Sequence, residues 1–143
     1  RIAEQVAVAL DVVGLLAVEL FVVDGELLVN EIAARPHNSG HVTQRSSLTS
    51  QFDNHLRAVC GLPLGSTDLV VPAAAMANVV GRSARVAPDL GAAPGDVSVH
   101  LYGKAPRPGR KLGHVIAVGA DLDEVGERAR RASEAIEGQG VRP

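Results

Sequence analysis

Apolar positions cut this chain into short blocks whose period changes from block to block. Ile2, Val6 and Leu10 recur at helical spacing, so residues 2–12 are expected to form a helix that Gly14 stops. No capping residue precedes it and Arg1 opens in mid-pattern, so the chain is expected to begin inside a larger protein. Two Val- and Leu-rich runs then flank Asp24-Gly25, the dipeptide of a tight hairpin. Each run carries one acid, Glu19 or Glu31, where a hydrophobe is expected. A two-residue loop would pair Glu19 with Asn30 and send Glu31 to the opposite face. A three-residue loop over Val23, Asp24 and Gly25 would pair Glu19 with Val29 and Ala17 with Glu31, leaving both carboxylates on one face at diagonal positions. Cooperation of the two acids on one ion therefore predicts the longer loop.

Beyond the hairpin, Arg35, His37, Asn38, Ser39 and His41 crowd a polar loop. Ser47–Cys60 reads as a helix with Phe52, Leu56, Val59 and Cys60 at helical spacing, closed by Gly61 and Pro63. Residues 73–80 form an apolar run that is read as a strand, and 82–96 as loop. Val97–Tyr102 alternates as a strand does, and Leu112–Val118 returns as its hairpin partner. Residues 121–137 form an amphipathic helix with Leu122, Val125, Ala129, Ala132 and Ile136 as its apolar stripe. These blocks predict an α+β chain in two parts, 1–66 and 67–143.

Composition narrows the classes. At 143 residues, with 46% hydrophobic side chains, the chain can bury a core. A net charge of −2 and three aromatics, Phe21, Phe52 and Tyr102, argue against a nucleic-acid binder. No apolar run approaches the ~20 residues of a membrane span. Cys60 is the one cysteine, which rules out an internal disulfide and fits the cytoplasm. Cys60 itself is expected to be inert core. His55, His100 and His114 are expected to be structural, with the alternative that His100 and His114 border the basic loop.

Three features carry chemistry. Glu19 and Glu31 read either as the solvent face of an amphipathic hairpin or as ligands of a hard divalent ion, which takes one or two carboxylates plus substrate phosphates. His37 and His41 have the spacing of a zinc pair, but Pro36, Asn38, Ser39 and Gly40 oppose the helix such a pair needs. The better reading is a loop of donors, Arg35, His37, Asn38 and Ser39, aimed at a planar oxyanion. Lys104, Arg107, Arg110 and Lys111 place four cations within eight residues, stiffened by Pro106 and Pro108. That cluster reads either as a solvated loop tip or as a seat for a phosphomonoester.

Two segments, VELFVVDGELLVNEIAARPHNSGH…TSQFDNHLRAVCGLPLG and HLYGKAPRPGRKLGHV, resemble the C-terminal portion of the 5-(carboxyamino)imidazole ribonucleotide synthase family, ATP-grasp ligases of purine biosynthesis. The resemblance implies the C-terminal part of an ATP-grasp domain followed by a small β-rich domain with a terminal helix. It implies a reaction in which ATP phosphorylates bicarbonate and the carboxyl group passes to 5-aminoimidazole ribonucleotide. Glu19 and Glu31 then look like ligands of Mg²⁺ (or Mn²⁺), with Asn30 and Glu31 beside the ATP phosphates. Arg35, His37 and Asn38 look like the loop that handles bicarbonate or carboxyphosphate. Lys104 and Arg110, with Arg107 and Lys111, resemble the grip on the ribonucleotide phosphate. The chain departs from the family at Ala34, where proline is usual, and at Val42, where tryptophan is common. The implied partner is the missing N-terminal portion of the enzyme, a homodimer when whole, so the chain alone is expected not to turn over. Another carboxylating ATP-grasp relative and a non-catalytic interaction module are the competing readings.

Overall fold

In a computed structural model, residues 1–81 and 96–138 are described; the expected loop at 82–96 lies almost wholly outside them. The chain divides into two compact units, Arg1–Asp68 and Leu69–Pro143.

The first unit starts with α1 (Ile2–Ala9), shorter than the expected helix because Leu10 already leaves helical geometry and Asp11 turns left-handed. β1 (Ala17–Val23) and β2 (Glu26–Ala33) follow as an antiparallel pair. The turn between them has two residues, with Val23 opposite Glu26, so the expected three-residue loop is wrong. Asp24 and Gly25 both take positive φ, 50° and 84°, the pairing a two-residue primed turn needs to match strand twist. The ladder then shifts between Glu19 and Leu20: Leu20 faces Val29, but Glu19 faces Glu31. Asn30 is thus the extra residue of a bulge, which carries Glu31 across to the face of Glu19. The two acids share a face after all, by a device at mid-strand rather than at the turn.

A 3₁₀ turn, Asn38–Gly40, and the short α2 (Thr43–Ser46) lead to α3 (Gln51–Val59). α3 begins four residues later than expected because Ser50, not Ser47, is its cap. The Ser50 hydroxyl and Asp53 carboxylate form a reciprocal capping box. These bonds hold the Asp53 carboxyl below the usual carboxylate range. Cys60, expected in the core, is exposed at the end of α3.

The second unit is a three-stranded antiparallel sheet, β3 (Ala73–Val80), β4 (Val97–Leu101) and β5 (Lys111–Gly119), with β5 central, and α4 (Leu122–Gly138) lying across β3 and β5. Asp121 caps α4, its carboxylate accepting from the Glu124 N–H at 2.9 Å. Val125, Ala129 and Ile136 press into a core with Val79, Val97, Leu112, Val115 and Ala117. Leu122 of the expected stripe is exposed, lying in the first turn before the helix meets the sheet.

Candidate functional site

The first cluster grows from the hairpin bulge. Glu19 and Glu31 stand opposite one another on one face, both exposed. Like charges directly opposite across a ladder repel, and a cation between them offsets that cost. Their oxygen donors fit a hard divalent ion completed by phosphate oxygens. Among the described residues no group of three His, Cys, Asp or Glu side chains is poised around an ion, so a site here draws on ligands beyond this pair. Asn30 sits beside them on the bulge.

His37 joins the acids. Its Nε2 lies 3.3 Å from Oε1 of Glu19. Its Nδ1 meets the Ser39 hydroxyl at 2.9 Å and the Ser39 backbone N–H at 3.4 Å. A backbone N–H can only donate, so Nδ1 presents its lone pair and the ring proton sits on Nε2, facing Glu19. Arg35 is exposed, with Nη1 donating to the carbonyl of Pro36 at 3.2 Å. Asn38 is half-buried at the start of the 3₁₀ turn. Glu19 and His37 border a cleft of about 340 Å³ whose other walls include Leu15, Val18, Thr43 and Gln51.

Gln51 is the residue that sequence reading passed over. It falls within the helix expected over 47–60 and is 6% exposed. Its side-chain amide accepts from the His37 N–H at 3.0 Å and donates to the His37 carbonyl at 2.9 Å and to Nδ1 of His41 at 2.8 Å. The available signal was Ser50-x-x-Asp53, which puts Gln51 at the first helical position facing the polar loop. His41, the other half of the spacing that suggests zinc, stacks on Phe52 with ring centres 5.4 Å apart.

The second cluster lies between β4 and β5. Gly103 and Gly109 take φ of 63° and 74°, bending the loop at both ends. Backbone bonds from the Gly81 N–H to Arg110 (2.8 Å) and from the Gly109 N–H to Gly81 (2.9 Å) tie it to the end of β3. Arg110 is half-buried and donates to the Ala105 carbonyl at 3.2 Å; Lys104, Arg107 and Lys111 are exposed. Lys104 Nζ sits 5.0 Å from the centre of the Tyr102 ring. The Tyr102 hydroxyl meets Nδ1 of buried His114 at 2.7 Å, and His114 stacks on His100. Burial pushes the Tyr102 hydroxyl pKa up, so it stays protonated at neutral pH. Lys104, Arg107 and Arg110 thus share one pinned loop, and Lys111 opens β5 at its end.

Comparison with known proteins matches both units. Residues 1–52 match the ATP-grasp domain family, and residues 74–128 match the phosphoribosylaminoimidazole carboxylase C-terminal domain. The chain is 53% identical over 141 residues to the N5-carboxyaminoimidazole ribonucleotide synthase of Mycobacterium tuberculosis, covering 93% of this chain and 33% of that protein. It resembles the crystal structure of the corresponding synthetase from Thermotoga maritima with a TM-score of 0.79 and 44% identity, over 93% of this chain and 39% of that one. A synthase from Aspergillus clavatus, solved with ADP and 5-aminoimidazole ribonucleotide, matches with a TM-score of 0.70 and 33% identity, over 87% of this chain and 35% of that one. The chain therefore spans about a third of the length of the curated relatives it matches.

Proposed function

We propose, from the premise that this chain belongs to the N5-carboxyaminoimidazole ribonucleotide synthase family of ATP-grasp ligases, that it supplies two working parts of such an enzyme. The first is the acidic hairpin face with its anion loop; the second is the basic loop between β4 and β5. In the whole enzyme ATP phosphorylates bicarbonate, and the exocyclic amine of 5-aminoimidazole ribonucleotide attacks the carboxyl carbon of the carboxyphosphate, releasing phosphate.

Glu19 and Glu31 hold Mg²⁺ or Mn²⁺ in this reading, with Asn30 beside the ATP phosphates. The ion, when bound, offsets charge on the transferring phosphoryl group. Arg35, His37 and Asn38 bind and orient bicarbonate. Arg supplies a planar fork for its oxygens, and His37 keeps its Nε2 proton toward the acids. Lys104, Arg107, Arg110 and Lys111 hold the ribonucleotide phosphate. The observation that carries the reading is the bulge at Asn30, which brings Glu19 and Glu31 opposite each other beside His37.

The chain alone is inactive in this proposal, because the surfaces that enclose ATP belong to the rest of the enzyme. The whole enzyme works in the cytoplasm as a homodimer. The test is bicarbonate- and ribonucleotide-dependent ADP release by a full-length enzyme carrying this segment. Glu31→Gln should lower kcat by about 100-fold or more, and the 143 residues alone should give none. Calorimetric titration with 5-aminoimidazole ribonucleotide should show binding that Arg110→Ala abolishes. Turnover unaffected by Glu31→Gln would sink the reading. Ribonucleotide binding unaffected by Arg110→Ala would leave a non-catalytic interaction module as the better account of the second unit.

A further inference from the structure

We propose that Gln51 is the positioning residue of the anion loop, a side chain that touches neither metal nor substrate but fixes the backbone of His37 and the ring of His41. The proposal rests on the reading of Arg35, His37 and Asn38 as the bicarbonate loop, and it names what holds that loop in shape.

The amide of Gln51 uses both of its donors and its acceptor. Bonding to both the N–H and the C=O of one residue is what a neighbouring strand does. Here a side chain does it, and His37 is accordingly extended, with φ −116° and ψ 151°. The carbonyl of His37 can only accept and its N–H can only donate, so the amide orientation is set by the contacts and not by choice. The remaining amide hydrogen goes to Nδ1 of His41, which leaves the His41 proton on Nε2. Gln51 is itself anchored. Its backbone N–H donates to the Thr43 hydroxyl at 2.9 Å, and that hydroxyl donates to the Gly40 carbonyl at 2.6 Å. The packing is close enough that a Cβ on Gly40 would run into the Gln51 amide oxygen.

The consequence travels through His37. With its backbone pinned by Gln51 and its Nδ1 engaged by Ser39, the ring directs Nε2 at Oε1 of Glu19, 3.3 Å away. Gln51 thereby links the first turn of α3 to an acid of the hairpin face. A misplacement of about 1 Å at a reacting group costs up to about 100-fold in rate, so a loop held by one amide is sensitive to that amide.

The experiment uses the full-length enzyme carrying this segment, with Gln51→Glu and Gly40→Ala. Glu keeps the acceptor for the His37 N–H but loses both donors; Ala at position 40 displaces the amide from the loop side. The expected result is a bicarbonate KM raised about tenfold or more, with the KM values for ATP and ribonucleotide within about twofold. ADP formed per ribonucleotide carboxylated should also rise, as a poorly held intermediate escapes to water. In ¹⁵N spectra, the His37 and His41 ring nitrogens should lose their single-tautomer pattern in both variants, a readout that a general loss of stability does not give. A wild-type enzyme without bicarbonate-dependent ADP formation overturns the reading of the loop, whatever Gln51 does. Where the wild type has that activity, a folded Gln51→Glu or Gly40→Ala enzyme with unchanged bicarbonate KM and unchanged tautomers overturns the role of Gln51 alone.

Discussion

The two units of this chain are ordered by different physics. The second has a closed apolar core in which Val79, Val115 and Val125 are fully buried, and Ile116 is fully buried on the other face of β5. The first buries only Ala33, Ser46 and Gln51, while Phe21, Val22, Leu27 and Leu28 of its hairpin are half or more exposed. What organises the first unit is polar stitching from side chain to backbone. Gln51 brackets His37, Asn54 brackets Gly65 through bonds of 2.8 and 3.3 Å, and Arg57 reaches the Pro63 carbonyl at 3.0 Å. Such bonds fix geometry but contribute only ~1 kcal/mol each net, whereas apolar burial drives folding. In the proposed reading, the site that presents acids and an anion loop to ligands is built from stitching. The module that carries it needs stability from elsewhere.

Hydrogen exchange breaks or sharpens this contrast most directly. Amides of β5 should open only with global unfolding, while those of β1 and β2 open locally, since a lone two-stranded hairpin is marginal in water. For a global stability of about 5 kcal/mol, protection should differ by about 10³-fold. Equal protection in the two units would break the comparison.

Core truncation comes next. Ile116→Ala should cost about 2–5 kcal/mol by denaturant titration. Phe21→Ala, at a side chain 55% exposed, should stay within about 0.5 kcal/mol in this chain. A larger loss at Phe21 than at Ile116 would mean that the hairpin is packed in solution against something that covers it.

The same contrast explains what the sequence disclosed. Blocks defined by burial were legible: the run 73–80 became β3, and Val125, Ala129 and Ile136 faced the core. Features set by local polar geometry were not. The bulge at Asn30 leaves no mark in a hydrophobic pattern, because Leu27, Leu28, Val29 and Ile32 are apolar on both faces and cannot report a shift of one residue. The turn Asp24-Gly25 was legible as a turn, yet its two-residue form looked incompatible with paired acids only because bulges were left out. α3 began at Ser50 and not Ser47 because a capping box outranks the first serine encountered. Cys60 was misjudged because an apolar stripe on α3 implies burial only if something lies against it, and Leu56 and Val59 are exposed as well. The positions of the two acids, the polar loop and the basic loop could be read from sequence, whereas the bonds of Gln51 to His37 and His41 could not, because the capping signal at Ser50 and Asp53 places Gln51 at the helix start without saying what its side chain meets.

Polar stitches of unequal burial sharpen the contrast within a smaller range. In the second unit Glu137, 7% exposed, accepts from the Val80 N–H at 2.6 Å and from the Ser133 hydroxyl at 3.3 Å. Glu137→Ala leaves the Val80 N–H without this acceptor and should cost about 1–3 kcal/mol, while Glu137→Gln, which keeps a carbonyl oxygen, should cost less. Asn54→Ala in the first unit removes two bonds to Gly65 near solvent and should cost about 1 kcal/mol. Thermal melts of the three variants rank them. An Asn54 loss exceeding the Glu137 loss would show that stitching, not the core, limits the whole chain.

The smallest effect lies on the solvent face of α4. Hydrogen bonds from Arg130 and then Arg131, with their charges, hold the Glu127 carboxyl down at about 2, against an ordinary 4.5. A carboxyl depressed in the folded state lends stability that is whole above its unfolded value and drains away as pH falls toward the folded one. The window is therefore about pH 4.5 down to about 2. Because the Glu127 carboxylate and its arginine partners lie at the surface, salt screens the pairs and the stability change should be close to the limit of detection. The carboxyl itself is the better probe. In a ¹³C titration Glu127 should protonate well below the ordinary carboxyl value of 4.5, and Arg130→Gln should move it upward further than Arg131→Gln does. A Glu127 that titrates at the ordinary 4.5 would show that these surface pairs do not persist, leaving the second unit to its apolar core alone.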